Sequence, residues 1–300
     1  MTSVAELMNV SFSAPGFWRS TPILRDLSFT LREGSVCGLV GHNGAGKSTM
    51  IRIMIGLLQP TQGTVKLFGA PPAQMLHKVG YAADPPELPP EMTCRELIEL
   101  HAALRGMPAR ASEVLETVSL GAVAHRTTAQ LSKGMRQRLS LAIAALGRPP
   151  LLIVDEPMSG LDPEGRAWVR SFIREQANEG VTVLFSSHVL ADVEELCSHL
   201  AVVRQGAISH SGPMTEFLGG ERAVRVQFRC TDSARALALG AQARGDAFDV
   251  AFSSLSAAGA GLQSLLSIAG FQLLELDVER RSLTAALEAH TTTFAGGTSE

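Results

Sequence analysis

The chain has 300 residues, 45% of them hydrophobic, with 26 Lys plus Arg against 29 Asp plus Glu and a formal net charge of -3. This length and composition suit about two domains with real cores, and the slightly acidic balance gives no general sign of a nucleic-acid partner, so none is expected. Four scattered cysteines form no CxxC pair, residues 1–12 lack a basic, apolar leader pattern, and no apolar run reaches the roughly 20 residues of a membrane helix, so a role at a membrane requires docking on another chain.

Residues 4–12 and 22–31 carry apolar positions broken by Ser, Pro and Gly, and read as short strands around a turn. Val36–Val40 is a compact apolar strand, followed by a Gly-rich turn and a helix over Lys47–Leu58 that Gln59-Pro60 ends. Thr64–Phe68 and Val79–Ala82 are further strands. After the break at Pro85, Pro86, Pro89 and Pro90, helices are predicted over Thr93–Leu104 and Ala111–Val118, with Thr93 and Glu96 spaced as a capping box. Ser132 caps a helix running to about Leu146. Leu151–Val154 is a buried strand, Pro163–Asn178 a helix, Val181–Phe185 a strand, Val189–Ser198 a helix and Leu200–Arg204 extended. Apolar strands alternating with helices predict a parallel α/β core, with residues 86–130 as a helical insertion. The first domain is drawn at 1–219.

Composition shifts after Gly219-Gly220. Val224, Val226 and Phe228 alternate, as do Phe248, Val250 and Phe252. Phe271–Val278 reads as a strand and Ser282–Ala289 as a helix. Residues 220–300 are therefore expected to form a small α+β appendage without a catalytic constellation, with a disordered tail from Thr291.

The strongest local signal is Gly41-His42-Asn43-Gly44-Ala45-Gly46-Lys47-Ser48-Thr49, a complete Gly-x-x-x-x-Gly-Lys-Ser/Thr pattern between a strand and a helix. Glycines let the backbone curl around phosphates, and successive amides and the helix N-terminus face their oxygens. Lys47 is placed to reach the β- and γ-phosphates and Ser48 to coordinate magnesium. Leu151-Leu152-Ile153-Val154 then delivers Asp155 and Glu156 to one strand end. Asp155 suits magnesium held through water, and Glu156 suits a general base for the attacking water. Nucleotide binding alone does not separate transporters from kinases, GTPases or helicases.

With Leu131-Ser132-Lys133-Gly134-Met135-Arg136-Gln137-Arg138 just upstream of the carboxylate strand, the motif order resembles the ATP-binding cassette (ABC) family over residues 4 to about 215. Lys133 and Met135 depart from the usual Leu-Ser-Gly-Gly-Gln, and this variant is similar to that of cassettes serving ABC-2-type export systems. The resemblance implies an α/β P-loop nucleoside triphosphatase core with a helical signature subdomain, using ATP and Mg2+. It implies a polytopic membrane permease as partner, a peripheral place on the cytoplasmic face of the membrane, and a head-to-tail pairing with a second cassette. In that pairing Ser132 and Gly134 complete the opposite subunit's site. Asp162, in Ser159-Gly160-Leu161-Asp162, would shape the dimer interface and could also cap the following helix. His188 matches the switch histidine that senses the γ-phosphate and holds the attacking water with Glu156.

Two positions depart from the family pattern. Asp84 stands where a Gln usually touches magnesium and couples to the permease. Ala14 stands nearest the Tyr that usually stacks on adenine, which leaves Phe17 or Trp18 as preferred replacements and Phe12 as a core alternative. The rival functional readings are a soluble cassette ATPase acting on nucleic acid or ribosomes, and a regulatory subunit that binds ATP and hardly hydrolyses it.

Overall fold

The computed structural model describes residues 2–15, 20–108, 110–218, 223–252, 255–279 and 283. The chain divides into two compact units, Met1–Met214 and Thr215–Glu300.

In the first unit β1 (Ser3–Ala14) and β2 (Thr21–Arg32) are long antiparallel neighbours, each of 12 residues, rather than short strands. They are followed by β3 (Val36–Val40), α1 (Lys47–Met54), β4 (Gln62–Leu67), α2 (Pro72–Met75) and β5 (Val79–Ala82). α1 stops four residues before the sequence suggests. Gly56 takes φ 77°, Leu57 N donates to Arg52 O at 2.8 Å and Gly56 N to Ile53 O at 3.0 Å. This pair of bonds closes the helix with a left-handed glycine, ahead of the proline at position 60.

Next come α3 (Cys94–Leu104), α4 (Ala111–Thr117), α5 (Lys133–Ala144), β6 (Leu151–Val154), α6 (Pro163–Asn178), β7 (Thr182–Ser187), α7 (Leu190–Leu196), β8 (His199–Arg204) and β9 (Ala207–Pro213), and the short α8 (Met214–Phe217) crosses the boundary between the units. The capping box at α3 is complete: Glu96 N donates to Thr93 Oγ1 at 3.2 Å and Thr93 N to Glu96 at 2.8 Å.

A six-stranded sheet runs in the order β5-β6-β7-β3-β8-β9, parallel except for β9, which returns antiparallel to β8. β9 has no clear apolar alternation, because Ser209, His210, Ser211 and Gly212 interrupt it. A separate three-stranded sheet, β2-β1-β4, packs with α1 and the larger sheet around Leu7, Leu27, Leu39, Met50 and Ile153, all essentially solvent-free. α3, α4 and α5 form a second core around Leu97, Ile98, Leu115 and Leu139. The carboxyl ends of β3, β5, β6 and β7 lie side by side, which is where open α/β sheets gather their chemistry.

The second unit contains β10 (Ala223–Arg229), α9 (Ser233–Ala238), β11 (Gln242–Arg244), β12 (Ala247–Phe252), α10 (Leu255–Leu266) and β13 (Gln272–Glu279). The antiparallel order β11-β12-β10-β13 with this β-α-β-β-α-β succession is a ferredoxin-like split βαβ arrangement. Val224, Val226, Phe228, Phe248 and Val250 line its core, as their alternation requires, and Phe228 stacks on Phe248 at 5.7 Å. The expected disordered tail and most of the Ser282–Ala289 helix lie outside the described residues.

Candidate functional site

The phosphate loop begins where β3 ends. It is tied down by Gly206, whose N donates to Ala45 O at 3.1 Å and whose own carbonyl accepts from Arg25 N at 2.9 Å. A Cβ on Gly41 would stand 2.6 Å from the Val203 carbonyl oxygen. Gly46 takes φ 108° at the N-cap of α1, a conformation that L side chains rarely adopt. No side chain caps α1 and no acidic residue lies in its first turn. The helix therefore presents its N-terminal amides and positive dipole end without a competing carboxylate, a setting that fits a phosphate chain.

Lys47 is buried at 6% exposure, and its Nζ donates to Gly41 O at 2.7 Å. The same ammonium lies 3.1 Å from Glu156 Oε1, while His188 Nδ1 lies 2.7 Å from Glu156 Oε2. Three residues from three separate motifs thus meet at one carboxylate. Glu156 is placed there by a backbone φ of 42°, which costs a non-glycine residue roughly 1–3 kcal/mol. That strain turns the chain sharply at the end of β6 and brings the carboxylate toward Lys47 and His188.

Ser186 is the residue that sequence reasoning missed. Its Oγ donates to Asp155 Oδ1 at 2.5 Å and accepts from Glu156 N at 2.8 Å. The signal lay in strand register: Val154 pairs with Phe185 across β6 and β7, so the residue after each strand partner falls side by side. Asp155, 2% exposed, also has its own amide tied to Ala82 O on β5 at 2.9 Å. Ser48 and Thr49 are half-buried at the start of α1, whereas His42, Asn43 and Gly44 face solvent. The Ser48 hydroxyl and the fixed Asp155 carboxylate are donor types that suit magnesium, which takes few protein ligands and completes its shell with phosphate oxygens and water.

Asp84 follows β5 and senses this cluster electrostatically. Burial pushes its carboxyl above the usual range. Lys133 pulls it back, and the charges of Asp155 and Glu156 push it further up. Asp84, after β5, and Lys133, at the start of α5, therefore act on each other. Lys133 Nζ also lies against Gly160, close enough that a Cβ there would stand 2.4 Å away.

Ser132 and Gly134 are not brought into this contact network. The Ser132 hydroxyl caps α5 by accepting from Met135 N at 3.2 Å. Asp162 likewise caps α6, accepting from Gly165 N at 2.9 Å. Phe12 is half-buried against the core of the first unit, so its side chain is spent on packing. Phe17 and Trp18 lie outside the described residues.

The family model for ABC transporters matches residues 24–159, a stretch that contains the phosphate loop, the signature segment and the carboxylate strand. An uncharacterised ABC transporter ATP-binding protein of Nostoc sp. is 38% identical over 224 residues, covering 71% of this chain and 67% of that protein. The bacitracin transport ATP-binding protein BcrA of Bacillus licheniformis is 33% identical, with 71% of this chain and 72% of that protein covered. A solved ATP-binding subunit of an ABC transporter superposes with a TM-score of 0.64 at 30% identity, over 71% of this chain and 91% of the other. The matched stretch spans 63–68% of the first curated relatives' own length. The chain belongs to the ABC transporter family, as an ATP-binding cassette subunit.

Proposed function

We propose that this chain hydrolyses ATP to ADP and phosphate and couples that reaction to export through a separate polytopic permease, at the cytoplasmic face of the membrane. The observation that carries the ATPase reading is the meeting of Lys47, Glu156 and His188 at one carboxylate. Glu156 takes the proton of the attacking water, whose oxygen bonds the γ-phosphorus as the bond to the ADP oxygen breaks. Lys47 and the loop amides stabilise the charge that develops on the β- and γ-phosphate oxygens. Ser48 and Asp155 would hold magnesium, which neutralises phosphate charge when bound. Asp84, coupled electrostatically to Asp155, would be a further water or metal contact, and His188 holds the active arrangement of Glu156.

The head-to-tail pairing rests on what Ser132 and Gly134 leave undone. Among the described residues a Cβ on Gly134 would meet only Leu161 Cδ2, at an ordinary 3.8 Å, so none of them requires glycine there. Close approach from outside supplies such a reason: the signature segment faces the nucleotide of a second cassette. Export rests on the Ser132-Lys133-Gly134-Met135 variant, and the similarity to a bacitracin transport ATP-binding protein supports a role in transport.

The test is affinity isolation of the Glu156→Gln form from gently solubilised membranes with Mg-ATP, followed by mass spectrometry. Recovery of a polytopic membrane protein supports the transport reading. Recovery of ribosomes, nucleic acid or soluble partners alone overturns it in favour of a non-transport ATPase.

A further inference from the structure

Behind Glu156 and His188 lies a cavity of about 210 Å³, walled by Glu156, the loop from Pro157 to Leu161, the segment from Phe185 to Val189, Arg166 and Asp192. Asp192 is only 2% exposed, yet it carries two guanidinium partners: Arg166 Nη2 at 2.6 Å and Arg170 Nη1 at 3.2 Å. The ladder continues outward, with Glu195 held by Arg170 at 3.2 Å and by Arg174 at 2.7 Å. Arg166, Arg170 and Arg174 repeat every four residues and so share one face of α6, opposite Asp192 and Glu195 on α7.

The covalent and non-covalent connections form a closed ring. From Glu156 the chain runs through the loop to Asp162, which caps α6. Arg166 stands in the second turn of α6 and grips Asp192 in the first turn of α7. α7 begins two residues after His188, and His188 returns to Glu156 at 2.7 Å. The middle of the ring is a cavity, so solid packing does not set the spacing between loop 157–161 and His188. The charged clamp at the far side does. Carboxylate–guanidinium pairs are directional, which a greasy contact between two helices is not.

We propose that Asp192, gripped by Arg166 and Arg170, is a positioning residue that holds α7 and thereby sets His188 against Glu156. Through Arg166 it also ties the placement of His188 to the loop at 159–162. The inference rests on the ATPase reading for its kinetic consequence, and on the ring geometry alone for the placement of His188.

The test compares the full chain with Asp192→Asn, Asp192→Glu, Arg166→Met and, as a control on the outer rung, Glu195→Gln. Readouts are kcat and KM for ATP, the thermal midpoint, and the imidazole NMR signal of His188 in the nucleotide-free protein. Asp192→Asn and Arg166→Met are expected to lower kcat by about tenfold or more with KM held within about twofold, as for a misplaced catalytic group. Both should also remove the signature of the Nδ1 hydrogen bond. Asp192→Glu should restore part of kcat, and Glu195→Gln should leave kcat unchanged. If Asp192→Asn fails to fold, Arg166→Met decides, because Arg166 is 31% exposed and its loss leaves no empty core position. An unchanged His188 signal overturns the proposal, as does a parallel fall of kcat, affinity and midpoint without rescue by glutamate. Wild-type protein without turnover would instead sink the ATPase reading, while the NMR signal still judges the placement of His188.

Discussion

Lys47 and Glu156 form an ion pair at 3.1 Å across the site, with both residues largely shielded from solvent. His188 occupies the other carboxylate oxygen, so both oxygens of Glu156 are engaged. In this arrangement the proposed base has one partner that a phosphate chain would compete for and one that would stay. On the proposed reading Lys47 would exchange this contact for the phosphate chain, and Glu156 would gain a free oxygen by that change.

Glu156→Gln keeps the shape of the side chain and removes its basicity. Turnover should fall by roughly 100-fold or more, as expected for loss of a general base, with ATP still bound. Single-turnover ATPase assays and equilibrium nucleotide binding check this together. Normal turnover would remove Glu156 from the base role.

Ser186→Ala deletes the hydroxyl that bridges Asp155 and the Glu156 amide. Leaving that buried donor and acceptor unpaired should cost about 1–3 kcal/mol of stability. The same loss frees two catalytic candidates at once, so the magnesium concentration for half-maximal activity should rise. Chemical denaturation and a magnesium titration measure the two effects, and unchanged values in both would show that the bridge has no role.

Gly134→Ala and Gly46→Ala separate two uses of glycine. The first adds a methyl with room inside the chain; the second forces φ 108° on an L residue and sets a Cβ 2.7 Å from Leu24 Cδ2. Gly134→Ala should melt like wild type yet lose ATP-dependent pairing in sedimentation. Gly46→Ala should be destabilised outright. A Gly134→Ala protein that still pairs normally would argue against the signature segment as the contact surface.

Asp84 carries a pH dependence. Its carboxyl is raised from an ordinary 3.8, chiefly by burial, so the unfolded chain releases this proton first as pH rises. Its contribution to stability is therefore full below the unfolded value and is lost as pH climbs through the higher folded value. Asp84→Asn should raise the melting temperature of the nucleotide-free chain near neutrality, and the gap should close on acidification. A gap that widens in acid would contradict this assignment.

Much of this protein was legible from local pattern alone. The phosphate loop, the apolar strand that ends in Asp155-Glu156, and the caps at Thr93, Ser132 and Asp162 are encoded by neighbours in sequence. Backbone curvature, strand burial and helix capping are short-range properties. α6 matches its expected bounds because Asp162 and Pro163 start it locally. α1 ended early because Gly56 turned left-handed and let Leu57 N and Gly56 N bond back to Arg52 O and Ile53 O, an outcome the distant proline masked.

What the sequence by itself determined is the local pattern: the glycine-rich loop that ends in Lys47, the apolar strand that ends in two carboxylates, and the helix caps. What only the tertiary structure decided is who touches whom. Ser186 became a bridge because β6 and β7 are register-matched neighbours, and Asp84 met Lys133 because β5 lies beside β6 near the signature helix. Asp192 became a buried clamp because α6 and α7 pack side by side with their charges facing. Local propensity acts over a few residues, whereas these contacts join positions 26 to 49 residues apart, and only strand order and helix packing bring such positions within bonding distance.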